Sequence, residues 1–327
     1  MIFGREPTPI FICGHPKAGT SLLTSLLDGH PEMVVYPEET LFFRRFLPAI
    51  GGKSISEKLA LADELLIHIF QWNQEEPPEH QKDYPDRDYS DIDFDKVHQT
   101  LAELIPSGEA SDKVFLEAAL QAFGQVSGSL ITETHYWVEK TPYNEFYADK
   151  IFEWWPGAKC VHVIRDPRDN FISYKLKQPD WNAKIFAWNW VRSTRAGLAN
   201  QAKYGGDRYF LIQFEELLRN PEYETRRLAE FLGLDWDESL LQPTRVGDSW
   251  RGNSMFDDKF QAISMDPIDR WKDLISTFDL AIVQAIADRA MTAVGYELAE
   301  IPMGDLSIQE KVRVLRERAV ARLKNAL

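Results

Sequence analysis

The sequence predicts an α/β fold of the P-loop-like, three-layer type: a mostly parallel sheet with helices on both faces and helical insertions. Three observations predict it. Short apolar runs of strand length alternate with stretches of helical period along most of the chain. The first run ends in a glycine-rich turn, GHPKAGTS at 14–21. A later run ends in Arg165, Asp166 and Pro167 before another helical stretch. Two strands therefore feed loop-to-helix turns of the kind that bind anions at a sheet edge.

The elements follow in order. Residues 9–13 are apolar and precede Gly14, and a helical pattern over 20–27 stops at Gly29, His30 and Pro31. A short run at 33–36 leads into Pro37, Glu38, Glu39 and Thr40. Helical spacing recurs over 54–72, 94–104 and 113–123, while 84–90 has no usable period and reads as loop. A brief strand is expected at 137–139, followed by a helix from Pro142 to residue 152 with proline in its first turn. Residues 159–164 form the clearest strand, and Asp169 is expected to cap the helix over 169–177. A long helix at 181–203, a strand at 208–214 and helices from 215 and over 221–232 complete the alternation. Beyond Gly233 a helix pair is expected at 267–276 and 280–294. The last segment places Ile308, Val312, Leu315, Ala319, Leu323 and Leu327 at steps of three and four, which predicts an amphipathic helix docked by that stripe, with a partner-binding helix and a membrane-surface helix as the alternatives. Six lysines and arginines lie between Lys311 and Lys324, assigned to its opposite face.

Composition narrows the function classes. The chain has 327 residues, 44% of them hydrophobic, and a net charge of −14. That charge argues against broad nucleic-acid binding but not against a small anion in a locally basic pocket. Acid is concentrated at 75–95, where nine carboxylates face only Lys82 and Arg87; it reads as a solvated loop between helices, with a lid or a partner-docking segment as the alternatives. Cys13 and Cys160 both fall in strand-like runs, so buried thiols are expected rather than a disulfide framework or zinc site. No run reaches the roughly 18 apolar residues of a membrane span and no leader pattern precedes the first strand, so a cytoplasmic protein with no integral membrane segment is the expectation.

The glycine-rich turn carries the first chemistry. Gly14 and Gly19 keep the spacing of a nucleotide triphosphatase loop, but the lysine is Lys17, inside the loop, rather than after the second glycine. Backbone N–H groups and the following helix terminus favour a phosphate, Thr20 and Ser21 offer hydroxyls, and Lys17 adds a mobile cation. No strand ends in a convincing magnesium-holding aspartate and no His, Cys or Asp cluster has metal spacing, so no metal is expected.

With these strings in view, the chain resembles the sulfotransferases that use 3′-phosphoadenosine-5′-phosphosulfate (PAPS) and release adenosine 3′,5′-bisphosphate (PAP). The segment 14–21 resembles that family's 5′-phosphosulfate loop, and VIRDPRDNFISYK at 163–175 its 3′-phosphate motif. LIQFEELLRNP at 211–221 is similar to a further family segment, with Phe214 where tyrosine is usual, and RGNSMF at 251–256 resembles the loop that closes over the nucleotide. The matches span residues 11–256 in order. The resemblance implies that Gly14, His15, Pro16, Lys17, Ala18, Gly19, Thr20 and Ser21 hold the 5′ side of the donor, and that Arg165 and Ser173 hold the 3′-phosphate. Phe214, Trp250, Arg251, Gly252 and Asn253 complete the implied nucleotide site. It also implies one sulfotransferase domain over 1–300, with a helical and acidic insertion at about 50–130, then an amphipathic extension at 301–327.

Sulfuryl transfer to a hydroxyl or amine needs a cation near the leaving oxygen and a base for the acceptor proton. By resemblance Lys17 is the cation. YPEETLFF at 36–43 and VEKTP at 138–142 resemble carbohydrate- and protein-modifying relatives, which makes Glu39 the base and Lys140 a second cation. Small-phenol relatives use a histidine, so His135 is the alternative base. Small-molecule, carbohydrate and carrier-bound acceptors all remain open, and no residue pattern fixes an oligomeric state.

Overall fold

The computed structural model describes residues 7–67, 89–106, 111–250, 252–256, 258, 260 and 262–324. Five parallel strands form its main sheet: β1 (Thr8–Gly14), β2 (Met33–Val35), β3 (Tyr136–Lys140), β4 (Lys159–Ile164) and β5 (Tyr209–Gln213), in the order β2-β3-β1-β4-β5. The α/β expectation is met.

The apolar run of β1 has no polar alternation because both faces are covered. Ile10 and Ile12 pack with α1 (Thr20–Asp28), with α8 (Phe214–Arg219) and with α9 (Pro221–Leu232) on one side. Phe11 and Cys13 meet the other layer, where α4 (Lys113–Ser127) and α5 (Ala148–Trp154) join α2 (Ile55–Ala62) and α3 (Phe94–Leu104). A third apolar cluster joins α6 (Pro167–Lys177) and α7 (Ala183–Tyr204) to α10 (Thr277–Ala293) and α11 (Ile308–Lys324).

The strand order places the site. From β1 the chain moves outward to one edge of the sheet, and from β4 it moves to the other. The switch point therefore lies between β1 and β4, which pair with Gly14 opposite Val163. Both anion-loop candidates leave the sheet at that point.

Several boundaries differ from the sequence expectation. The helix expected over 54–72 is α2 followed by a π-turn at Asp63–Ile67, and residues beyond 67 lie outside the described ones. A helix does not start at Pro142: Tyr143 adopts the left-handed φ of 73° and Asn144 spends its amide on Glu139, so a 3₁₀ turn at Asn144–Tyr147 precedes α5. The helix expected at 267–276 is reduced to Trp271–Leu274. Asp169 does not cap α6. Asp166 does, accepting from the Arg168 N–H at 2.8 Å with Pro167 in the first turn, while Asp169 accepts the backbone N–H groups of Asp269 and Trp271 at 2.8 and 2.9 Å.

The terminal helix is the clearest correction. It docks by Val314, Glu317 and Ala321, not by the apolar stripe expected to face inward. Two small apolar residues let it approach α10, and the buried Glu317 accepts from Lys184 at 2.8 Å. Leu327 and most of the acidic run, residues 75–88, lie outside the described residues. Among the described residues no helix is long and apolar enough to cross a membrane.

Candidate active site

One cleft at the C-terminal edge of the sheet is lined by residues from the ends of β1, β3, β4 and β5 and from the 250–267 segment. The loop after β1 forms its floor. Gly14, Lys17 and Gly19 all have left-handed φ, at 134°, 64° and 101°. A Cβ on Gly14 would stand 2.4 Å from the Val163 carbonyl oxygen, and one on Gly19 would stand 2.1 Å from the Phe214 ring. These glycines are required by close approach as well as by conformation. Gly19 is the N-cap of α1 and offers no side-chain acceptor, so the helix terminus remains an anion-seeking surface beside Thr20 and Ser21.

Side chains from other elements fix this loop. The Gly14 N–H donates to Glu145 Oε2 at 3.1 Å, Asn170 Nδ2 donates to the Pro16 carbonyl at 2.9 Å, and Arg165 Nη1 donates to the Lys17 carbonyl at 3.0 Å. Glu145 also accepts from Ser193, and burial pushes its carboxyl up to about 7. His15 turns its ring away from the cleft, among Tyr143, Tyr174 and Phe186, and burial pulls its imidazole down to about 4. Its side chain braces the loop. Ala18 is likewise buried.

The loop after β4 works through one side chain. Arg165 is buried, its Nη1 also donates to Ser173 Oγ at 3.3 Å, its Nη2 donates to the Pro267 carbonyl at 3.1 Å, and its guanidinium stacks 4.7 Å from the Phe214 ring centre. Burial lowers its pKa while Asp169 and Glu215 oppose that shift. Its buried Nε has no partner among the described residues, nor has the indole Nε1 of Trp250, which lines the same cleft. A buried guanidinium with an unspent donor beside a glycine-lined loop fits a ligand with two separated anionic groups.

Glu39 and Lys140 meet at the cleft wall, with Lys140 Nζ donating to Glu39 Oε1 at 3.0 Å. Glu39 is 35% exposed and Lys140 only 6%, so the carboxylate, not the ammonium, faces incoming solvent or acceptor. Beneath them the fully buried Glu139 accepts from Thr40 at 2.7 Å, Thr141 at 2.5 Å and Asn144 at 2.6 Å. Burial raises its pKa. This hub locks the two strings PEET and EKTP together and occupies Thr141 in structure. Glu38 points elsewhere: it is buried and accepts from Tyr89 at 2.8 Å.

Lys17 reaches across the cleft and donates to the Asn253 carbonyl at 3.1 Å, while Asn253 Nδ2 donates to Ser21 Oγ at 3.2 Å. The 252–256 segment therefore closes over the first loop. Gly252, also left-handed at 90°, lines the cleft; Arg251 lies outside the described residues.

The alternative base, His135, is not brought to the site. It precedes β3 at the N-terminal edge of the sheet and pairs with Glu32 at 2.5 Å. Five residue steps along the strand separate it from Lys140, roughly 17 Å. Behind the first loop, Cys13, Glu145 and His162 bring possible metal-ligand atoms within 4.8 Å of one another, a cluster that sequence spacing did not reveal. All three are fully buried, and burial pushes the thiol up and the His162 imidazole down to about 3. Tyr209 bridges Cys13 and His162 by hydrogen bonds of 3.5 and 2.9 Å.

Comparison with known proteins bears on the family and the fold. A profile described as "Sulfotransferase family" matches residues 9–238. Protein-tyrosine sulfotransferase A of Caenorhabditis elegans is 26% identical over 250 residues, covering 73% of this chain and 53% of its own length. The chain thus spans about half the length of that relative. The omega-hydroxy-beta-dihydromenaquinone-9 sulfotransferase Stf3 of Mycobacterium tuberculosis is 24% identical over 275 residues, covering 75% of this chain and 69% of its own. Among solved structures, the sulfotransferase domain from the curacin biosynthetic pathway superposes with a TM-score of 0.56 at 19% identity, covering 90% of this chain and all of that one, and so shares the fold. The matched region holds β1 to β5, both anion loops, Glu39 and Lys140, and the chain belongs to the sulfotransferase family.

Proposed function

We propose that this chain transfers a sulfuryl group from PAPS to a hydroxyl acceptor, with Glu39 as general base. The observation that supports this most is the convergence of Lys17, Lys140, Glu39 and Arg165 on one cleft at the switch point of the sheet. Two anion-holding loops set apart along the β1/β4 edge suit a nucleotide with phosphate on both its 5′ and 3′ sides. The first loop takes the 5′-phosphosulfate, Arg165 and Ser173 the 3′-phosphate, and Trp250 and Phe256 flank the adenine. Phe214 serves as a platform under Gly19 and Arg165.

In the reaction the acceptor oxygen bonds to sulfur as the bond from sulfur to the bridging phosphate oxygen breaks. The acceptor proton passes to Glu39, and negative charge collects on the bridging oxygen as PAP departs. Lys17 stabilises that charge. Lys140 gives one of its three donors to Glu39, which aims the carboxylate and leaves the ammonium beside the transferred group. No step draws on a metal ion. Both relatives quoted above are named for acceptors that bear a hydroxyl, a tyrosine and an omega-hydroxyl, which favours oxygen over nitrogen here.

The test is transfer of labelled sulfate from PAPS to a panel of phenols and alcohols in the presence of chelator. PAP is expected to bind without magnesium, and better than ATP with it. Glu39→Gln keeps the shape of the site, so nucleotide affinity should survive while turnover falls by roughly 10² to 10⁴. His135→Ala should turn over normally. Near-full turnover in Glu39→Gln overturns the assignment of the base, and tighter binding of magnesium-ATP than PAP overturns the donor.

A further inference from the structure

The terminal helix α11 presents to solvent the stripe that its sequence pattern suggests should be buried. Ile308, Val312, Leu315 and Leu323 are 80%, 61%, 58% and 71% exposed, and Ala319 between them is exposed too. Steps of three and four residues align these positions along one face, directly opposite the docked Val314, Glu317 and Ala321. Helical geometry puts Lys311, Arg318 and Arg322 along one border of the stripe and Arg316 along the other. The two carboxylates of the helix, Glu310 and Glu317, both fall on the docked side. Glu310 accepts from the Ser307 backbone and hydroxyl at the helix start, and Glu317 pairs with Lys184.

We infer that this face of α11 seats the protein on an anionic phospholipid surface. An apolar stripe bordered on both sides by lysine and arginine matches the layering of a bilayer interface: side chains enter the acyl boundary while the bordering cations rise to the phosphates. On a chain of net charge −14, that local positive border also favours approach of this face to a negative surface, and the exposed Arg313 and Lys324 further round the helix add to the same local charge. The apolar area continues beyond the helix. Leu298 and Met303, both exposed, line a groove with Leu315, Arg318 and Arg322, and among its described lining residues Asp288 is the one carboxylate. A second copy of this chain is a poorer occupant, because pairing two such stripes sets Lys and Arg borders against each other.

Flotation of the full chain with lipid vesicles tests the inference. Binding is expected to vesicles containing about 30 mol% phosphatidylglycerol in phosphatidylcholine and to be weak on pure phosphatidylcholine. Salt at about 1 M, where the screening length is about 3 Å, should release most of it. The exposed double variant Val312→Glu/Leu315→Glu should bind no better than wild type binds pure phosphatidylcholine, with an unchanged melting temperature. Neutralising Lys311, Arg316 and Arg322 to Gln should weaken partitioning by roughly fivefold per charge, about 10²-fold together. The inference fails if the chain ignores anionic vesicles, or if Val312→Glu/Leu315→Glu binds them as well as wild type does. It also fails if the stripe proves to be covered by a concentration-dependent dimer that Leu315→Glu abolishes, or if polyglutamate captures wild type and Val312→Glu/Leu315→Glu equally and competes vesicles away.

Discussion

The loops that leave β1 and β4 are built alike from behind and differently in front. In each, an early backbone N–H is pinned by a buried glutamate: Gly14 to Glu145 at 3.1 Å, Asp166 to Glu215 at 2.9 Å. Burial pushes both carboxyls up to about 7. Toward the cleft they diverge. The first loop presents backbone, and left-handed φ at Gly14, Lys17 and Gly19 brings that backbone close to its neighbours. The second presents one buried guanidinium. A backbone cradle constrains nearly every residue in its string, whereas a side-chain grip constrains only the arginine and what aims it. Damage to the first loop should therefore appear in the chemistry, and damage to the second in affinity.

Lys17→Ala tests the first half of that contrast and should have the largest effect. The substitution keeps the loop backbone but removes the cation proposed to face the leaving oxygen, so turnover should fall by roughly 10² to 10³. Nucleotide affinity should fall less, by about tenfold, since the ammonium also meets charge in the ground state. Steady-state rates at saturating donor, set beside titration calorimetry with PAP, separate the two. A loss confined to affinity would make Lys17 a binding residue only.

Arg165→Ala tests the second half. Affinity for adenosine 3′,5′-bisphosphate should drop by about 10²-fold, in line with the loss of a charge-assisted pair. The two loops are not independent, because Arg165 also donates to the Lys17 carbonyl at 3.0 Å. Adenosine 5′-phosphate should consequently lose a few-fold rather than nothing. Calorimetry with both nucleotides checks this, and equal losses would remove the distinction between the loops.

What they share is testable through pH. Between the ordinary carboxylate range and about pH 7, folded Glu145 keeps a proton that the unfolded chain has lost. Its contribution to stability therefore falls as pH rises through that window and is constant beyond either end. Glu145→Gln can satisfy Gly14 and Ser193 with an uncharged amide. It should be more stable than wild type by roughly 3 kcal/mol at pH 8, with little difference at pH 4.5. Glu215, and Asp169 at about 6, supply slopes of the same sign, so the single variant flattens the profile only in part. Denaturation across pH reads this out; an unaltered slope means Glu145 is not the titrating group.

Legibility in the sequence followed the same division. The strings at 14–21 and 163–175 are contiguous, and both stand at the predicted sheet edge. Glu39 and Lys140 came from short strings whose pairing at 3.0 Å joins residues a hundred positions apart. Glu139, Glu145 and Asp169 were missed as organisers because their partners are distant in the chain or are backbone N–H groups, which leave no mark on composition. Asp169 suits a cap by type and position, but Asp166 stands three residues earlier, at the first turn, and caps the helix. Period found the stripe on α11 but cannot tell which side of a helix its neighbours will cover.

The smallest expected effect is that of Ser173→Ala, and it asks how far a side-chain grip depends on its support. Ser173 Oγ accepts from Arg165 Nη1 at a long 3.3 Å, which leaves the hydroxyl proton for a phosphate oxygen. Losing one such bond should weaken PAP binding by about fivefold and leave turnover at saturating donor unchanged. A cycle with Arg165→Ala assigns the cause. If the hydroxyl meets the phosphate itself, most of the fivefold loss persists when Arg165 is already absent. If it disappears in that background, Ser173 acts only by aiming the guanidinium, and the second loop holds its ligand with a single side chain.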